Sequence, residues 1–446
     1  MNTKMQKTIL YGKRALSVLL FLACMLLLNQ GFRYLLIDDT NSYTRIALHE
    51  MYEQENIDIL FLGSSHCYRS IDPSIIDDAW GVNTFNGGTS SQLPKASYYL
   101  LKEVGRNHQL SKVYMEVYYD LMWTNQDYRS ATGIYIISDY MKPSLNRLQF
   151  IWDTGGRDYI AHGLILGRRN WEKLLDFSYM RENLRKKNTA AYRNYQYLLS
   201  DNEDYMGKGF VYSRDYIEKG AFAAKEPFAP IAASAISEEN QIYLDKIISY
   251  CQEHDIDLIF YSAPLPDFRL TGCGNYDNYI EQMQIFLKDK NVSYYDFNLC
   301  RGDILSLDEL CYMDDNHLNG KGARLFSAFF ADFFSQDTAK EEMFWESYWQ
   351  KQQHEQNTIF GVICEQHKEN DGTISAHITP VGNTDTPVYF TICKRQINED
   401  EYTEYRPCSE ERDFSLPDGE TGYFHIYVSL DPEGRQVIND ATFLYE

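Results

Sequence analysis

The sequence predicts an α/β protein that follows a membrane-spanning helix and precedes an all-β module. Three observations support this architecture. Eighteen residues without a charge lie near the N-terminus, short apolar strands alternate with helical segments between about residues 56 and 335, and period-two patterns fill the chain from about residue 357. Because strands separated by helices are typical of a parallel sheet covered on both faces, the middle region is predicted as a three-layer α/β/α sandwich.

The N-terminal apolar segment is predicted as a transmembrane signal anchor over residues 15–36. Its uncharged part runs from Ala15 to Phe32, which is enough to cross about 30 Å of hydrocarbon at ~1.5 Å per residue. No small-x-small cleavage pattern follows it, so we expect an uncleaved anchor rather than a removed signal peptide. Basic residues precede it, so residues 1–14 are expected in the cytoplasm and the rest outside the cell. These basic residues are Lys4, Lys7, Lys13 and Arg14.

Residues 37–55 are polar and are predicted as a stalk with a short helix. The α/β domain then covers residues 56–335, and its strands are predicted at residues 57–62, 82–86, 112–118, 257–262 and 292–297. Its helices are predicted around Tyr98–Leu101, after a cap at Ser237, from Ile280 to Lys288 and at residues 320–334.

Residues 121–235 interrupt this pattern and are too long for an ordinary loop in a compact domain. We interpret them as an insertion near the site end of the sheet, either a cap or a partner surface, with helical pieces at residues 171–183 and 190–199. A charged helical linker is predicted at residues 336–356. Residues 357–446 alternate with period two between Gly-containing turns and are predicted as a β-sandwich module.

Composition excludes some functions. The 446-residue chain has a net charge of −22, so nucleic acid is not an expected partner because it requires a basic surface. The nine cysteines contain no Cys-x-x-Cys pair, so no zinc site is expected. Cys300 with Cys311, and Cys393 with Cys408, are close enough in sequence to pair, but we expect most cysteines to be unbridged.

Two short segments contain residue types that are typical of a catalytic site. Residues 62–66 read Leu-Gly-Ser-Ser-His directly after the first predicted strand, and residues 314–319 read Asp-Asp-Asn-His-Leu-Asn ahead of the last α/β helix. A serine hydroxyl becomes a nucleophile when an imidazole takes its proton and a carboxylate orients that imidazole. Ser65, His317 and Asp314 are therefore the candidate catalytic residues.

Each neighbour of these residues has a plainer interpretation. Ser64 is expected to be a turn residue rather than the nucleophile. His66 is either a substrate-side group or a turn histidine with a local hydrogen bond. Cys67 is expected to be buried behind the site rather than reactive, and Asp315 is a backup for Asp314.

In this order and spacing, residues 56–335 resemble the SGNH/GDSL-like hydrolase superfamily. The chain is most similar in kind to its membrane-anchored bacterial members, such as the teichoic acid D-alanyl transfer proteins and the alginate-type O-acetylation proteins. The resemblance implies that Ser65 is the nucleophile, His317 the general base and Asp314 its orienting carboxylate. It also implies that backbone amides bind the oxyanion, with Ser65, Ser91 and Gly88 as the candidates.

The sequence departs from the family pattern after the third strand, where Tyr119 replaces the expected oxyanion asparagine. The resemblance still implies acyl transfer or ester hydrolysis on a cell-envelope glycan, without a metal or organic cofactor. A multi-pass membrane acyltransferase is then the implied partner and acyl source. The departure leaves open a catalytically weak envelope scaffold, and a secreted esterase is a third alternative.

Overall fold

A computed structural model describes residues 3–123, 131–196, 201–218, 235–273, 276–336, 340–355, 358–384, 386–416 and 421–445. The α-helices in these ranges are α1 Thr3–Leu36, α2 Tyr43–Glu53, α3 Ser65–Ser70, α4 Pro73–Trp80, α5 Pro94–Gly105, α6 Tyr119–Trp123, α7 Ala131–Ser138, α8 Leu145–Leu164, α9 Phe177–Lys187, α10 Ala190–Arg193, α11 Glu238–Glu253, α12 Asp267–Cys273, α13 Tyr276–Leu287, α14 Gly320–Ser335 and α15 Tyr348–Glu355. The strands are β1 Ile59–Leu62, β2 Thr84–Asn86, β3 Lys112–Glu116, β4 Glu203–Gly207, β5 Phe210–Ser213, β6 Asp257–Ser262, β7 Ser293–Asp296, β8 Thr358–Lys368, β9 Ile374–Asn383, β10 Tyr389–Gln396, β11 Thr403–Ser409, β12 Asp413–Leu416, β13 Gly422–Ser429 and β14 Val437–Tyr445.

A five-stranded sheet with the order β2-β1-β3-β6-β7 forms the centre of the α/β domain. All four neighbouring pairs are parallel. The predicted parallel sheet is therefore confirmed, and each of its strands lies within a predicted range. Parallel strands end at the same edge of a sheet, so the turns after β1, β2 and β3 lie close to one another.

Helices cover both faces of this sheet. On one face, the Phe61 ring stacks on Tyr114 with centroids 5.1 Å apart, and both rings contact Phe330 of α14. On the other face, Leu60 and Phe85 meet apolar side chains of α2 and α5, and α11 packs against α5. The domain is thus the three-layer α/β/α sandwich that the sequence predicts.

Helix α1 projects from this domain with an apolar, exposed surface. An 18-residue window within Tyr11–Leu36 has a mean hydropathy of 2.0, and the helix is long and apolar enough to cross a membrane. The side chains from Leu16 to Leu28 are mostly exposed to more than half of their surface, as expected for a helix that needs an apolar solvent. The predicted direction of insertion stays a prediction.

The segment predicted as a stalk contains a helix, but that helix is packed on the domain. Six of the eleven residues of α2 are buried, including Leu48 and Met51. The stalk prediction at residues 37–55 is therefore wrong for Tyr43–Glu53. Its polar residues had suggested exposure, whereas the apolar ones repeat at helical spacing and face Leu60 and Phe85.

The predicted insertion contains α7, the long helix α8, the short helices α9 and α10, and the hairpin β4–β5. The predicted helical piece at residues 171–183 coincides in part with α9, whereas α8 was not predicted. The hairpin is attached to the edge of the central sheet because the Asn86 amide donates to the Lys208 carbonyl at 2.8 Å. Gly209 has a φ of +86°, and a side chain there would collide with the Asn86 carbonyl.

Residues 342–446 form a second compact unit. It contains two antiparallel sheets, with the orders β11-β10-β13-β14 and β12-β9-β8, and their inward-facing side chains form one apolar core. The all-β module is confirmed. The division between the two units falls inside the predicted linker at residues 336–356, which contains α15.

The cysteines for which the structure describes side chains are free thiols. Neither of the two sequence-adjacent pairs, Cys300 with Cys311 and Cys393 with Cys408, is bridged in the described part of the chain.

If α2 belongs to the core, truncating it must destabilise the domain. We expect Met51→Ala to lower the free energy of unfolding by about 2–5 kcal/mol, the range for deleting a large buried apolar side chain. The measurement is urea unfolding of the full chain in detergent micelles. Glu53→Ala on the exposed side of the same helix is the control. Equal stability of the two variants would restore the stalk interpretation.

Candidate active site

The candidate nucleophile lies at the start of a helix that follows the first strand. Strand β1 ends at Leu62, and α3 begins at Ser65. Ser64 is the N-cap residue, since its hydroxyl accepts a hydrogen bond from the His66 amide at 3.2 Å. This position places the partly exposed Ser65 side chain at the carboxyl edge of the parallel sheet, where α/β proteins bind ligands.

The turn before Ser65 requires a glycine. Gly63 has a φ of +147°, a conformation that residues with a side chain rarely adopt. A Cβ atom there would lie 2.5 Å from Glu116 Oε2 and 2.6 Å from Glu116 Cβ. The backbone therefore approaches the end of β3 more closely than any other residue would allow.

Glu116 lies beneath the serine turn and is buried. Its Oε2 accepts hydrogen bonds from the Ser64 amide at 2.6 Å and from the Ser64 hydroxyl at 2.9 Å. Burial raises the pKa of Glu116 to about 7, although the two hydrogen bonds from Ser64 oppose the shift. Ser64 is thus the turn residue that the sequence predicts, and its hydroxyl is committed to structure.

Asn86, the last residue of β2, holds α3 from behind. Its side-chain amide donates to the carbonyls of Cys67 at 2.9 Å and Ile71 at 3.0 Å, at the carboxyl end of the short helix. Its Oδ1 accepts from the Gly88 amide at 3.0 Å and from the Cys67 thiol at 3.2 Å. The buried amide group is therefore fully used, and it fixes the helix that carries Ser65 against the neighbouring strand.

The histidine and the aspartate lie in the loop before α14. Asp314 Oδ1 accepts the amides of His317 at 2.7 Å and Asn316 at 2.8 Å, so the carboxylate shapes the turn that presents the imidazole. The Met313 amide donates to the His317 carbonyl at 2.9 Å, and Asn319 caps α14. The loop is held at both ends.

The three candidate catalytic side chains form one chain of hydrogen bonds. His317 Nε2 lies 2.8 Å from Ser65 Oγ, and His317 Nδ1 lies 3.0 Å from Asp314 Oδ2. Burial raises the pKa of Asp314, but the hydrogen bonds and charge of His317 outweigh it and leave the pKa below its usual value. An ionised Asp314 is what orients Nδ1–H and leaves Nε2 free to accept the serine proton.

This arrangement also distinguishes the roles of the adjacent residues Asp314 and Asp315. Both nitrogens of the His317 ring are engaged, one by Asp314 and the other by Ser65. No ring nitrogen is left for Asp315 to orient, so the structure favours Asp314 over the backup.

His66 is buried beside His317. Its ring stacks on His317 with centroids 4.6 Å apart and contacts Tyr118 at 4.0 Å. Burial, followed by the charges of His317 and Arg269, lowers the pKa of His66 well below its usual value, so the imidazole is neutral. Its Nε2 is buried without a hydrogen-bond partner within the described ranges, so the local hydrogen bond expected of a turn histidine is not seen at this atom.

A polar cluster continues the site beyond His66. The Tyr118 hydroxyl donates to Asn316 Oδ1 at 2.9 Å, and Arg269 donates to the hydroxyls of Tyr119 at 3.1 Å and Tyr118 at 3.3 Å. Tyr119, which replaces the asparagine expected from the family pattern, is buried and positions the guanidinium group of Arg269.

The predicted oxyanion donors have different positions. The Gly88 amide is already engaged, because it donates to Asn86 Oδ1 at 3.0 Å. A Cβ atom at this position would lie 2.8 Å from Cys67 Cβ and 2.9 Å from the Ser64 carbonyl oxygen. Ser91 is exposed in a left-handed turn with a φ of +51°, and its role stays a prediction. The Ser65 amide is in the first turn of α3, where amides have no partner inside the helix.

Cys67 is fully buried, as predicted. Burial, followed by the charge of Glu116, raises the pKa of its thiol well above the usual value, so it is not a reactive thiolate. In the described residues, no group of three or more His, Cys, Asp or Glu side chains could hold a metal ion.

No family profile matches the sequence, and no curated protein matches it. Among solved structures, one similar protein is assigned to the G-D-S-L family of lipolytic proteins from Desulfitobacterium hafniense DCB-2. It has 10% sequence identity and a TM-score of 0.30, over 62% of this chain and 99% of that chain. β-Glucosidase 3B from Thermotoga neapolitana, in complex with glucose, has 10% identity and a TM-score of 0.12, over 92% of this chain and 88% of that chain.

Sequence analysis missed the residues that support the triad. Glu116 was visible as a carboxylate at the end of an apolar strand, and a charge in that position indicates a buried partner. Asn86 and Arg269 carried no such signal, because their partners lie far away along the chain or belong to the backbone.

The buried carboxyl group of Glu116 predicts a pH dependence of stability. Its folded-state pKa of about 7 exceeds the ordinary 4.5, so the folded state retains a proton that the unfolded state has lost between these pH values. The stabilisation is complete below pH 4.5 and is lost as the pH rises through 7, and the shift corresponds to roughly 3 kcal/mol at about 1.4 kcal/mol per pKa unit.

Glu116→Gln should remove this dependence. Its free energy of unfolding should vary less between pH 5 and about pH 8 than that of the wild type, as measured by urea unfolding at a series of pH values. Glu53→Gln at an exposed position is the matched control and should behave as the wild type. Parallel pH profiles for wild type and Glu116→Gln would contradict the burial argument.

Proposed function

We propose that the chain is a membrane-anchored SGNH-type serine acyltransferase or esterase that acts on acyl groups, most simply O-acetyl groups, of a cell-envelope glycan. The observation that carries this proposal is the hydrogen-bond chain from Ser65 through His317 to Asp314 at the carboxyl edge of a parallel sheet. Nucleophile, base and orienting carboxylate are within the distances that covalent acyl transfer needs.

In this mechanism, Ser65 Oγ attacks the acyl carbonyl carbon while His317 Nε2 takes the hydroxyl proton. The carbonyl oxygen becomes an oxyanion, which the amides of Ser65 and Ser91 would stabilise. Collapse of the intermediate breaks the bond to the leaving alcohol, and His317 returns the proton to that alcohol. A second hydroxyl, from a glycan or from water, then repeats the sequence in reverse and releases Ser65.

Two features support slow hydrolysis and favour transfer. Tyr119 stands in place of the oxyanion asparagine, and the Gly88 amide is engaged by Asn86. Since removal of one oxyanion donor lowers the rate by about 10²–10³-fold, free hydrolysis of simple esters should be slow. A glycan hydroxyl held against the acyl-enzyme would gain an advantage over water from positioning alone.

Helix α1 supports a location at the membrane. We propose that it crosses the membrane once, with residues 1–14 in the cytoplasm and the α/β domain outside, because four basic residues precede the apolar segment. A multi-pass membrane acyltransferase would supply the acyl group in this arrangement.

A second function is favoured by the same missing donors. A chain with a weakened oxyanion site could serve as an envelope scaffold that positions a membrane acyltransferase without turning over itself. The two proposals differ in whether Ser65 becomes covalently modified.

Labelling with a fluorophosphonate distinguishes them. The probe should modify the full chain in detergent micelles, and Ser65→Ala should abolish the modification because it removes the only hydroxyl bonded to His317 Nε2 in the described structure. The measurement is the mass of the intact protein. Ser64→Ala is the matched control and should retain labelling, since the Ser64 hydroxyl bonds Glu116 instead.

A bacterial strain carrying Ser65→Ala completes the test. The acyltransferase proposal expects loss of an envelope acyl group in this strain, to the level of a deletion strain. Unchanged acylation in the Ser65→Ala strain, together with a defect in the deletion strain, would favour the scaffold proposal over the enzyme proposal.

A further inference from the structure

One short segment of the insertion exposes an unusual number of large apolar side chains. It comprises residues 165–177, the turn after α8, the 3₁₀-helix Arg168–Lys173 and the start of α9. Isolated exposed apolar residues are common, but a contiguous group indicates an interaction surface. Its exposed members are Ile165, Trp171, Leu174, Leu175 and Phe177, with Leu175 at 82% and Phe177 at 74% exposure.

This segment is fastened to the end of α1. The Leu166 amide donates to Asn29 Oδ1, and the Asn170 side chain donates to the Leu36 carbonyl at 2.9 Å. Gly167 has a φ of +62°, and a Cβ atom there would lie 3.4 Å from the Phe32 carbonyl oxygen and 3.5 Å from Arg33 Cα, so the turn runs close to the backbone of α1. The segment therefore lies beside residues 29–36, the C-terminal end of α1.

This end of α1 lies within the thickness of a bilayer when α1 crosses the membrane. Arg14 is the last charge before the apolar segment, and Asn29 lies fifteen residues later, or about 22 Å along a helix that rises ~1.5 Å per residue. The hydrocarbon of a bilayer is about 30 Å thick. If Arg14 is at the inner surface, the residues that contact Asn29 cannot lie above the outer headgroups, and they must enter the outer leaflet.

We propose that residues 165–177, which we call the membrane seat, insert into the interfacial region of the outer leaflet and bind phospholipid. The proposal rests on α1 crossing the membrane as described under the proposed function. The chemistry of the segment fits, because an interfacial surface combines large apolar side chains with an amphipathic Trp and flanking cations. Trp171 supplies the aromatic ring, and Arg168 and Lys173 lie on either side of it.

The membrane seat gives the α/β domain a second attachment to the bilayer besides α1. A single helix leaves a domain free to swing, whereas two attachments restrain its tilt. Since the insertion also reaches the edge of the central sheet through the β4–β5 hairpin, the seat would hold the Ser65 edge at a constant orientation to the membrane.

The test uses the full chain in nanodiscs that contain phospholipid alone. Discs with dibrominated acyl chains are compared with unbrominated discs, because bromine quenches tryptophan at short range. The bromine-dependent loss of emission should fall at least twofold in Trp171→Phe. It should also fall at least twofold in Leu175→Asp/Phe177→Asp, which keeps Trp171 but prevents insertion.

Ile285→Asp is the matched control, since it places the same charge at an exposed apolar residue of α13 and should leave quenching unchanged. Alkaline extraction of the same discs tests α1 separately. Retention of the protein with equal quenching in wild type and Trp171→Phe would overturn the seat alone and assign the surface to a protein partner. Release of the protein by alkali would overturn both the seat and the membrane-spanning α1.

Discussion

The contact between the backbone at Gly63 and the buried carboxyl group of Glu116 determines where Ser65 lies. Glu116 Oε2 accepts both the amide and the hydroxyl of Ser64, and a Cβ atom at position 63 would lie 2.5 Å from the same oxygen. The chain therefore turns directly at the end of β1 and begins α3 with Ser65. If this turn were displaced, the serine would lose the imidazole that is held by a separate loop.

Two further contacts connect the serine side of the site to the histidine side. The Ser327 hydroxyl of α14 accepts the Asp72 amide at 2.8 Å and lies 3.2 Å from the Ser70 carbonyl oxygen. These contacts join α14 to the end of α3 and the residues that follow it. Because α14 begins just after His317, the 2.8 Å contact between Ser65 and His317 is supported by packing on both sides rather than by the two side chains alone.

The sequence was sufficient to predict the parallel sheet, the helix cap at Ser237, and the three residues that form the hydrogen-bond chain. Local patterns carry this information: an apolar run before Ser65, and an aspartate three residues before His317. The features that the sequence did not predict depend on contacts between distant segments of the chain. The polar appearance of residues 37–55 concealed the buried face of α2.

The role of Gly88 could not be read from its sequence position either. Its amide is bonded to the side chain of Asn86, and a pattern of residue types does not show which amides are already engaged. The same holds for Tyr119, whose buried hydroxyl accepts from Arg269. The hydrogen-bond chain of Ser65, His317 and Asp314 is thus predictable from motifs, whereas the number of backbone amides left without a partner depends on the assembled fold.

The central claim is that His317 activates Ser65, and the rate of fluorophosphonate modification of Ser65 in the full chain tests it most directly. We expect His317→Ala to lower the second-order rate constant by about 10³-fold or more, as for loss of the base in a serine triad. Asp315→Asn should leave it nearly unchanged, because Asp314 orients the imidazole. An unaltered rate in His317→Ala would contradict the account.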